Sequence, residues 1–292
     1  MSEPMSDAQT PQTLLAEGDP KAALAALEPL VRSDAADAKL RVFLFQLLAV
    51  LGQWQRALTQ LQVCGELDAG TLAMVGTYSQ AVQCEAVRES VFAGKTVPHV
   101  FGRPQAWVAW LAEALAADGR GETVAAAKLR AQALEAAPAT SGSLNGQAFE
   151  WIADGDSRLG PVLEAIINGR YCWVPFGALA KVTVEAPTDL RDMVWSAAQL
   201  EFPNGGQTVA LLPTRYAGSA QCNDGALQLA RRTDWAELGP DQFSGLGQRV
   251  LVTDAQELGL LDVREIVLAT PVAVADVDAD ANVDADVGAD AA

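Results

Sequence analysis

The amino-acid sequence predicts an α+β protein in which tetratricopeptide-like helical hairpins precede a small α+β domain with a mainly antiparallel sheet. Two observations carry this prediction: a glycine-alanine frame that returns at a fixed spacing, and a change from alanine-rich helical patterns to aromatic and β-branched runs after about residue 150. The chain then divides into a loose N-terminus (1–12), a helical domain (13–153), an α+β domain (154–270) and a disordered acidic tail (271–292).

The repeated frame is Gly-x-x-x-x-Ala-Leu. It occurs in "GDPKAAL" from Gly18 and again in "GQWQRAL" from Gly52, a step of 34 residues. That spacing is typical of tetratricopeptide helix pairs, which build surfaces for other proteins more often than active sites.

Helix signals follow the frame in order. "TPQTLLAEG" predicts a short helix capped by Thr10, and "DPKAALAALEPLV" predicts a second one capped by Asp19, which Pro29 should bend or shorten. "ADAKLRVFLFQLLAVLG" has leucines and phenylalanine at helical spacing and predicts an amphipathic helix that ends at Gly52. "QWQRALTQLQVC" then begins its partner helix.

Three later segments continue the helical pattern: "AGTLAMVGTYSQAVQCEAVRESVFAG", "PQAWVAWLAEALAADG" and "ETVAAAKLRAQALEAA". "DSRLGPVLEAIINGRY" is interpreted as one last helix, with Gly169 just past its end. The predicted strands are "YCWVPF", "LAKVTVEA", "AAQLEF", "TVALLP", "QRVLVT" and "REIVLA", and an Asn-Gly-Gly turn in "EFPNGGQTVALL" predicts a hairpin.

The charge balance limits the partners. The formal net charge is −17, which argues against nucleic acid and anionic membranes because both require basic surface. The sequence shows neither a long apolar run nor a signal peptide, and its four cysteines are scattered. We therefore expect a cytoplasmic protein with reduced thiols and no membrane contact.

Motifs of catalysis and of metal or cofactor binding are weak. The single histidine, His99, would have to serve any histidine-dependent triad, and a loop or interface role is the plainer interpretation. Asp189 and Asp192 flank Arg191 in "DLRDMVW", which fits a charged helical turn better than an acid–base pair. We expect no catalytic residue, metal or cofactor.

Aromatic and arginine residues stand out in the second half of the chain. Trp, Tyr and Arg are enriched in protein–protein hot spots, so these residues are candidates for partner binding. The candidates are Tyr171, Trp173, Arg191, Trp195, Arg215, Tyr216, Arg232 and Trp235. The alternative is that the tryptophans fill the core and that the arginines pair with carboxylates such as Asp192 or Asp234.

The same segments resemble a known family. "DGDSRLGPVLEAIINGRYCWVPF", "PTDLRDMVWSAAQLEFPNGGQTVALLPTRYAGS", "LARRTDW" and "GLGQRVLVTD" are similar to the ImpE family, also called TagJ or SciE, of type VI secretion accessory proteins. The resemblance covers about residues 13–268 and leaves out the acidic tail. It implies a non-enzymatic cytoplasmic protein that binds the contractile sheath through the N-terminal helix of the small sheath subunit, alongside a ClpV-type unfoldase.

One alternative stays open beside this adaptor, and a second is disfavoured. A small enzyme could use Arg, Asp and Tyr residues of the second domain; a pocket with perturbed carboxylates would favour it, and a shallow apolar groove would favour the adaptor. A tetratricopeptide co-chaperone would need a clamp of Lys and Asn, but no Asn precedes Asn145.

Overall fold

The first half of the chain is helical in the computed structural model, which describes residues 10–102 and 105–269. Within those residues the helices are α1 (Pro11–Ala16), α2 (Pro20–Ser33), α3 (Ala38–Val50), α4 (Trp54–Leu67), α5 (Leu72–Phe92), α6 (Ala106–Gly119) and α7 (Thr123–Ala136). The helices predicted in this half are thus confirmed. Of the predicted loose N-terminus, residues 11 and 12 belong to α1, while residues 1–9 and the acidic tail lie outside the described residues.

Glycines end four of these helices. Gly18, Gly52, Gly94 and Gly121 all have positive φ angles, between 65° and 88°. The next amide reaches back five residues in each case, as from Gln53 N to Leu48 O at 2.9 Å. Only glycine adopts this left-handed cap without strain, which explains the first position of the repeated frame.

The alanine of the frame lets paired helices approach closely. Ala23 and Ala57 have no exposed surface, and Ala126, five residues after Gly121, is equally buried. The frame therefore marks successive helical hairpins: α1–α2, α3–α4 and, in degraded form, α6–α7. Their relation to tetratricopeptide repeats stays a prediction.

Two helices differ from expectation. Pro29 does not shorten α2, which continues to Ser33. Residues 44–50 of α3 are buried on every side, rather than on one face, because the helix is enclosed by its neighbours and by a 3₁₀ turn at Leu190–Met193.

The second half forms three sheets and one short helix, α8 (Gly225–Gln228). The strands are β1 (His99–Val100), β2 (Gly142–Leu144), β3 (Gln147–Phe149), β4 (Ile152–Asp154), β5 (Val162–Ile167), β6 (Arg170–Pro175), β7 (Lys181–Val184), β8 (Trp195–Glu201), β9 (Gln207–Pro213), β10 (Thr233–Gly239), β11 (Gln242–Gly247), β12 (Val250–Thr253), β13 (Glu257–Gly259) and β14 (Glu265–Leu268). All six predicted strands are present, and β8 and β9 form the predicted hairpin.

A nine-stranded sheet dominates, in the order β1-β6-β5-β9-β8-β7-β14-β2-β3. Its strand pairs are antiparallel except β1 with β6, which confirms the predicted α+β class with a mainly antiparallel sheet. A three-stranded sheet (β13-β12-β4) and a hairpin (β10-β11) complete the fold.

The helix predicted over "DSRLGPVLEAIINGRY" is wrong, because this segment is the β5–β6 hairpin. All six residues of β5 are buried, so the strand lacks the alternation that would separate it from a buried helix. Asn168 and Gly169 have φ angles of 50° and 70°. Asn-Gly with two positive φ angles is the favoured two-residue hairpin turn. This dipeptide in the sequence therefore indicated a hairpin, which the helix prediction overlooked.

Both faces of the large sheet are packed. One apolar cluster joins helical residues such as Leu47 and Trp107 to Trp173 and Trp195 of the sheet. A second cluster lies on the opposite face, beneath the three-stranded sheet. The predicted boundary at 153/154 falls inside β4, after β2 and β3 have already joined the sheet. No helix of the described residues is long and apolar enough to cross a bilayer.

Candidate functional site

The eight predicted partner-binding residues do not form one surface. Five of them are buried: Tyr171, Trp173, Trp195, Arg215 and Tyr216. Arg191, Arg232 and Trp235 reach the surface, and Arg191 is the least exposed of these, with a quarter of its side chain accessible. The five buried residues lie in the core, as the stated alternative has it, so they have little surface with which to contact a partner directly. Partner binding by the other three stays a prediction.

The polar atoms of these buried aromatic side chains take part in hydrogen bonds inside the protein. Trp173 Nε1 donates to Tyr171 Oη at 2.8 Å, and Tyr171 Oη donates to Glu164 Oε1 at 2.5 Å. Trp195 Nε1 donates to Glu85 Oε1 at 2.9 Å. The polar end of each ring is thus satisfied inside the protein, as burial requires.

Glu164 is the centre of this network. Arg88 of α5 grips it with two nitrogens, at 2.7 Å and 3.0 Å, and Arg249 Nη1 lies 3.3 Å from Oε2. Burial alone would raise the pKa of Glu164, but the two guanidinium groups hold that pKa below its usual range. The Arg88–Glu164 ion pair thus links helix α5 to strand β5.

Asp154 and Arg249 form the adjoining pair, with Nη2 and Oδ2 at 2.7 Å and both side chains fully buried. Burial, together with the nearby charge of Asp156, raises the pKa of Asp154 to about 6 despite this arginine. This is a perturbed carboxylate, but it lies in packed protein and is saturated by hydrogen bonds from Arg249 and from Asp156 N.

Arg215 has a different partner set. Its guanidinium donates to the carbonyls of Ala49 and Val50 at the end of α3 and to that of Gln228 at the end of α8. Burial lowers its pKa to about 10. Arg215 therefore caps two helices, where a cation is favourable, rather than locking a carboxylate.

The predicted charged turn is confirmed. Asp189 and Asp192 cap the 3₁₀ turn reciprocally, and Asp189 also pairs with Arg191 at 2.9 Å. Arg232, similarly, bridges Asp224 and Asp234 at the surface.

A groove of about 580 Å³ opens beside this turn, between α5 and the helix-facing side of the large sheet. Its lining includes Ala73, Met74, Thr77, Tyr78 and Gln80 of α5, Ile166, Asn168 and Gly169 of the β5–β6 hairpin, Thr183, Glu185 and Arg191, and Ala197–Gln199 and Val209–Leu211 of β8 and β9. The wall surface is mainly apolar, and its charged groups are Glu185 and Arg191; the neutral polar side chains are Thr77, Gln80, Asn168, Thr183 and Gln199.

The groove exists because the helical layer covers only part of the sheet. Thr183, Gln199 and Val209 are neighbours across β7, β8 and β9, and all three are exposed, Val209 by 77%. An apolar side chain so exposed on a sheet face lacks the cover that strands β5 and β6 receive from α5.

Aromatic packing supports the groove wall. The Arg191 guanidinium lies 4.9 Å from the Tyr78 ring centre, and Tyr78 packs on Trp195 at 5.7 Å. Of the predicted residues, Arg191 thus lines the groove and Trp195 supports it from beneath. Sequence reasoning missed Tyr78, Met74 and Val209, because the apolar run of β9 does not indicate which part of the sheet stays uncovered.

Catalytic geometry is scarce in the described part of the chain. His99 is exposed on the edge strand β1. Within residues 10–102 and 105–269, no group of three or more His, Cys, Asp or Glu side chains is placed to hold a metal ion.

Comparisons with known proteins agree with this architecture. A family model described as "ImpE protein" matches residues 146–267. A relative from Pseudomonas aeruginosa, named "Type VI secretion system accessory component TagJ", is 52% identical over 261 residues, which cover 89% of this chain and 92% of the relative.

A solved structure has the same fold. Protein VPA1032 from Vibrio parahaemolyticus superposes with a TM-score of 0.82, over 90% of this chain and 98% of its own length, at 22% sequence identity. The sequence resemblance, the shared fold and the long match to the Pseudomonas relative agree, and the chain belongs to the ImpE/TagJ family of type VI secretion accessory components.

Proposed function

We propose that this chain is a non-catalytic, cytoplasmic adaptor of a bacterial type VI secretion system that binds the contractile sheath. In this proposal the N-terminal helix of the small sheath subunit lies in the groove between α5 and strands β7, β8 and β9. The observation that carries the proposal is the uncovered part of the sheet around the exposed Val209, which forms a groove with α5 whose walls are mainly apolar.

The shape of the groove fits an amphipathic helix. A helix laid on the open strands would extend the existing helical layer, with its apolar stripe on Val209, Ala197 and Met74. Glu185 and Arg191 would then lie at the rim, where polar residues surround most interfaces.

The enzyme alternative receives less support. The carboxylate with the strongly raised pKa, Asp154, is fully buried and held by Arg249, so a substrate could not reach it without local unfolding. Asp189, whose pKa burial also raises, caps a turn and pairs with Arg191. These contacts favour structural roles for both.

Isothermal titration with a synthetic peptide of the sheath subunit's N-terminal helix, from the same bacterium, tests the proposal. We expect a Kd in the micromolar range or tighter, which corresponds to a binding free energy of about −8 kcal/mol or more favourable, and no change in Kd when residues 271–292 are deleted. Binding to neither the peptide nor the assembled sheath would contradict the adaptor role and return attention to an enzyme. Interplay with a ClpV-type unfoldase is part of the same proposal and would be assayed on sheath already bound by this protein.

A further inference from the structure

A second exposed apolar surface lies on the other side of the large sheet from the groove. The three-stranded sheet β13-β12-β4 covers that side, and its inward residues Ile152 and Leu251 belong to the second core. Because side chains alternate along a strand, Ala153 and Val252, which pair with each other, face outward. The surface is thus separate from the proposed sheath site.

Two tryptophans stand at opposite ends of this outer face. The Trp235 ring lies over Gly155, where an added Cβ would come within 2.7 Å of it, and packs on Tyr216 at 5.5 Å. Trp151 precedes β4 on the same outward side, roughly 13 Å from Gly155 at the usual rise of a strand. Trp235 is 44% exposed and Trp151 is 39% exposed.

A phenylalanine extends the apolar area. Phe243 pairs with Glu237 across the β10–β11 hairpin, so its side chain shares the hairpin face of Trp235, and it is 43% exposed. We call Trp151, Ala153, Val252, Trp235 and Phe243 the tryptophan surface. Three large aromatic side chains this exposed on one side of a protein indicate an interaction surface.

Carboxylates are the more numerous charged groups around the tryptophan surface. Exposed carboxylates border it at Glu150, Glu237, Asp241, Asp254 and Glu257. In the described part of the chain none of these five forms an ion pair. The nearby cation, Arg232, is already bound by Asp224 and Asp234.

We infer that the tryptophan surface binds a lysine- or arginine-bearing segment of a second protein. A cation over an indole ring is attracted by the electron-rich ring face, and the bordering carboxylates favour the same sign of charge. A second copy of this chain fits poorly, since each carries a net charge of −17. With the groove on the opposite side, the molecule has two faces through which it can join two partners.

The test uses a fluorescein-labelled peptide of repeated Gly-Arg-Leu units, and the same peptide with Gln in place of Arg. Fluorescence anisotropy in about 150 mM salt should give a Kd on the order of 10–100 µM for the arginine peptide and weaker binding of the glutamine peptide. Trp151→Ala and Glu257→Gln should each weaken arginine-peptide binding, about fivefold for the tryptophan. Val124→Ala and Glu113→Gln, exposed changes elsewhere, serve as matched controls and should leave it unchanged.

Several outcomes would overturn the inference. Equal binding of both peptides would show that the positive charge of the probe contributes nothing. Equal binding of the arginine peptide by Trp151→Ala and wild type would show that only the general negative charge of the protein attracts it. Sedimentation showing a dimer that Trp151→Ala dissociates would assign the surface to a second copy. The anisotropy assay measures binding at the tryptophan surface and not in the groove. Its result can therefore be interpreted even if the titration with the sheath peptide shows no binding.

Discussion

Glu164 shows how single residues hold this fold together. It has no exposed surface, yet it accepts hydrogen bonds from Arg88 and Tyr171, and Arg249 lies beside it. A lone Glu inside the apolar run "PVLEAII" indicates a buried partner, because an unpaired buried charge is costly. The sequence could supply that indication; it could not identify Arg88, 76 positions away, as the partner.

Replacing this carboxylate should be severely destabilising. We expect Glu164→Gln to lower the free energy of unfolding by about 3–5 kcal/mol, because two buried guanidinium groups lose the carboxylate that they share, and Arg88 is left with only the longer pair to Glu85. Guanidinium chloride denaturation followed by circular dichroism measures this. Glu265→Gln, which breaks the exposed pair with Lys181, is the control and should leave the midpoint unchanged. Equal midpoints for both variants would show that the buried network contributes little.

Asp154 gives the stability a pH dependence of defined sign. Its pKa in the folded chain, about 6, lies above the ordinary value of 3.8, so the folded state holds the proton more tightly than the unfolded state. Its ionisation therefore costs stability as the pH rises from about 4 to about 6. Between pH 4 and pH 7 we expect the wild type to lose up to about 3 kcal/mol more than Asp154→Asn. Parallel stability–pH curves for the two proteins would refute this assignment.

At the scale of elements, glycine-ended helices were the most predictable part of the molecule. Thr10, Asp19 and Gly52 act as the caps that their positions predict. Strand β5 was mistaken for a helix because both its faces are buried. The alternation of apolar and polar residues that identifies a strand appears only when one face is exposed. The β10–β11 hairpin was missed as well, since its residues are half-exposed and interrupted by a bulge.

Two of these glycines make a matched pair for experiment. An added Cβ at Gly94 would sit 2.4 Å from Leu115 O, whereas at Gly121 nothing lies within 4 Å, and both have positive φ. We expect Gly121→Ala to cost about 1 kcal/mol from backbone strain alone, and Gly94→Ala to cost about 3 kcal/mol or more. Thermal and chemical denaturation of both variants measures the difference. Similar losses of stability in the two variants would show that the α5–α6 contact shifts at little cost to make room for the added methyl group.

For the whole molecule, the helical layer and the sheet share one core, so the two predicted domains pack as a continuous unit. The sequence indicated both layers. It could not show that helices cover only part of the sheet, because coverage depends on how elements far apart in sequence meet. This is why the candidates from the sequence included Arg191, which lines the groove, but not Tyr78 or Val209.

The groove is the central claim, and one pair of variants tests it most directly. Val209→Gln places a neutral polar group on the open sheet, and Val124→Gln makes the same change at a similarly exposed site on α7; both side chains are at least 70% exposed, so neither change should affect folding. The measurement is isothermal titration with the sheath helix peptide. We expect Val209→Gln to weaken binding about three- to tenfold, because the variant loses an apolar contact that the bound helix would partly bury. We expect Val124→Gln to bind the peptide with the same Kd as wild type. Full affinity in Val209→Gln would place the sheath helix elsewhere on the protein and contradict the account.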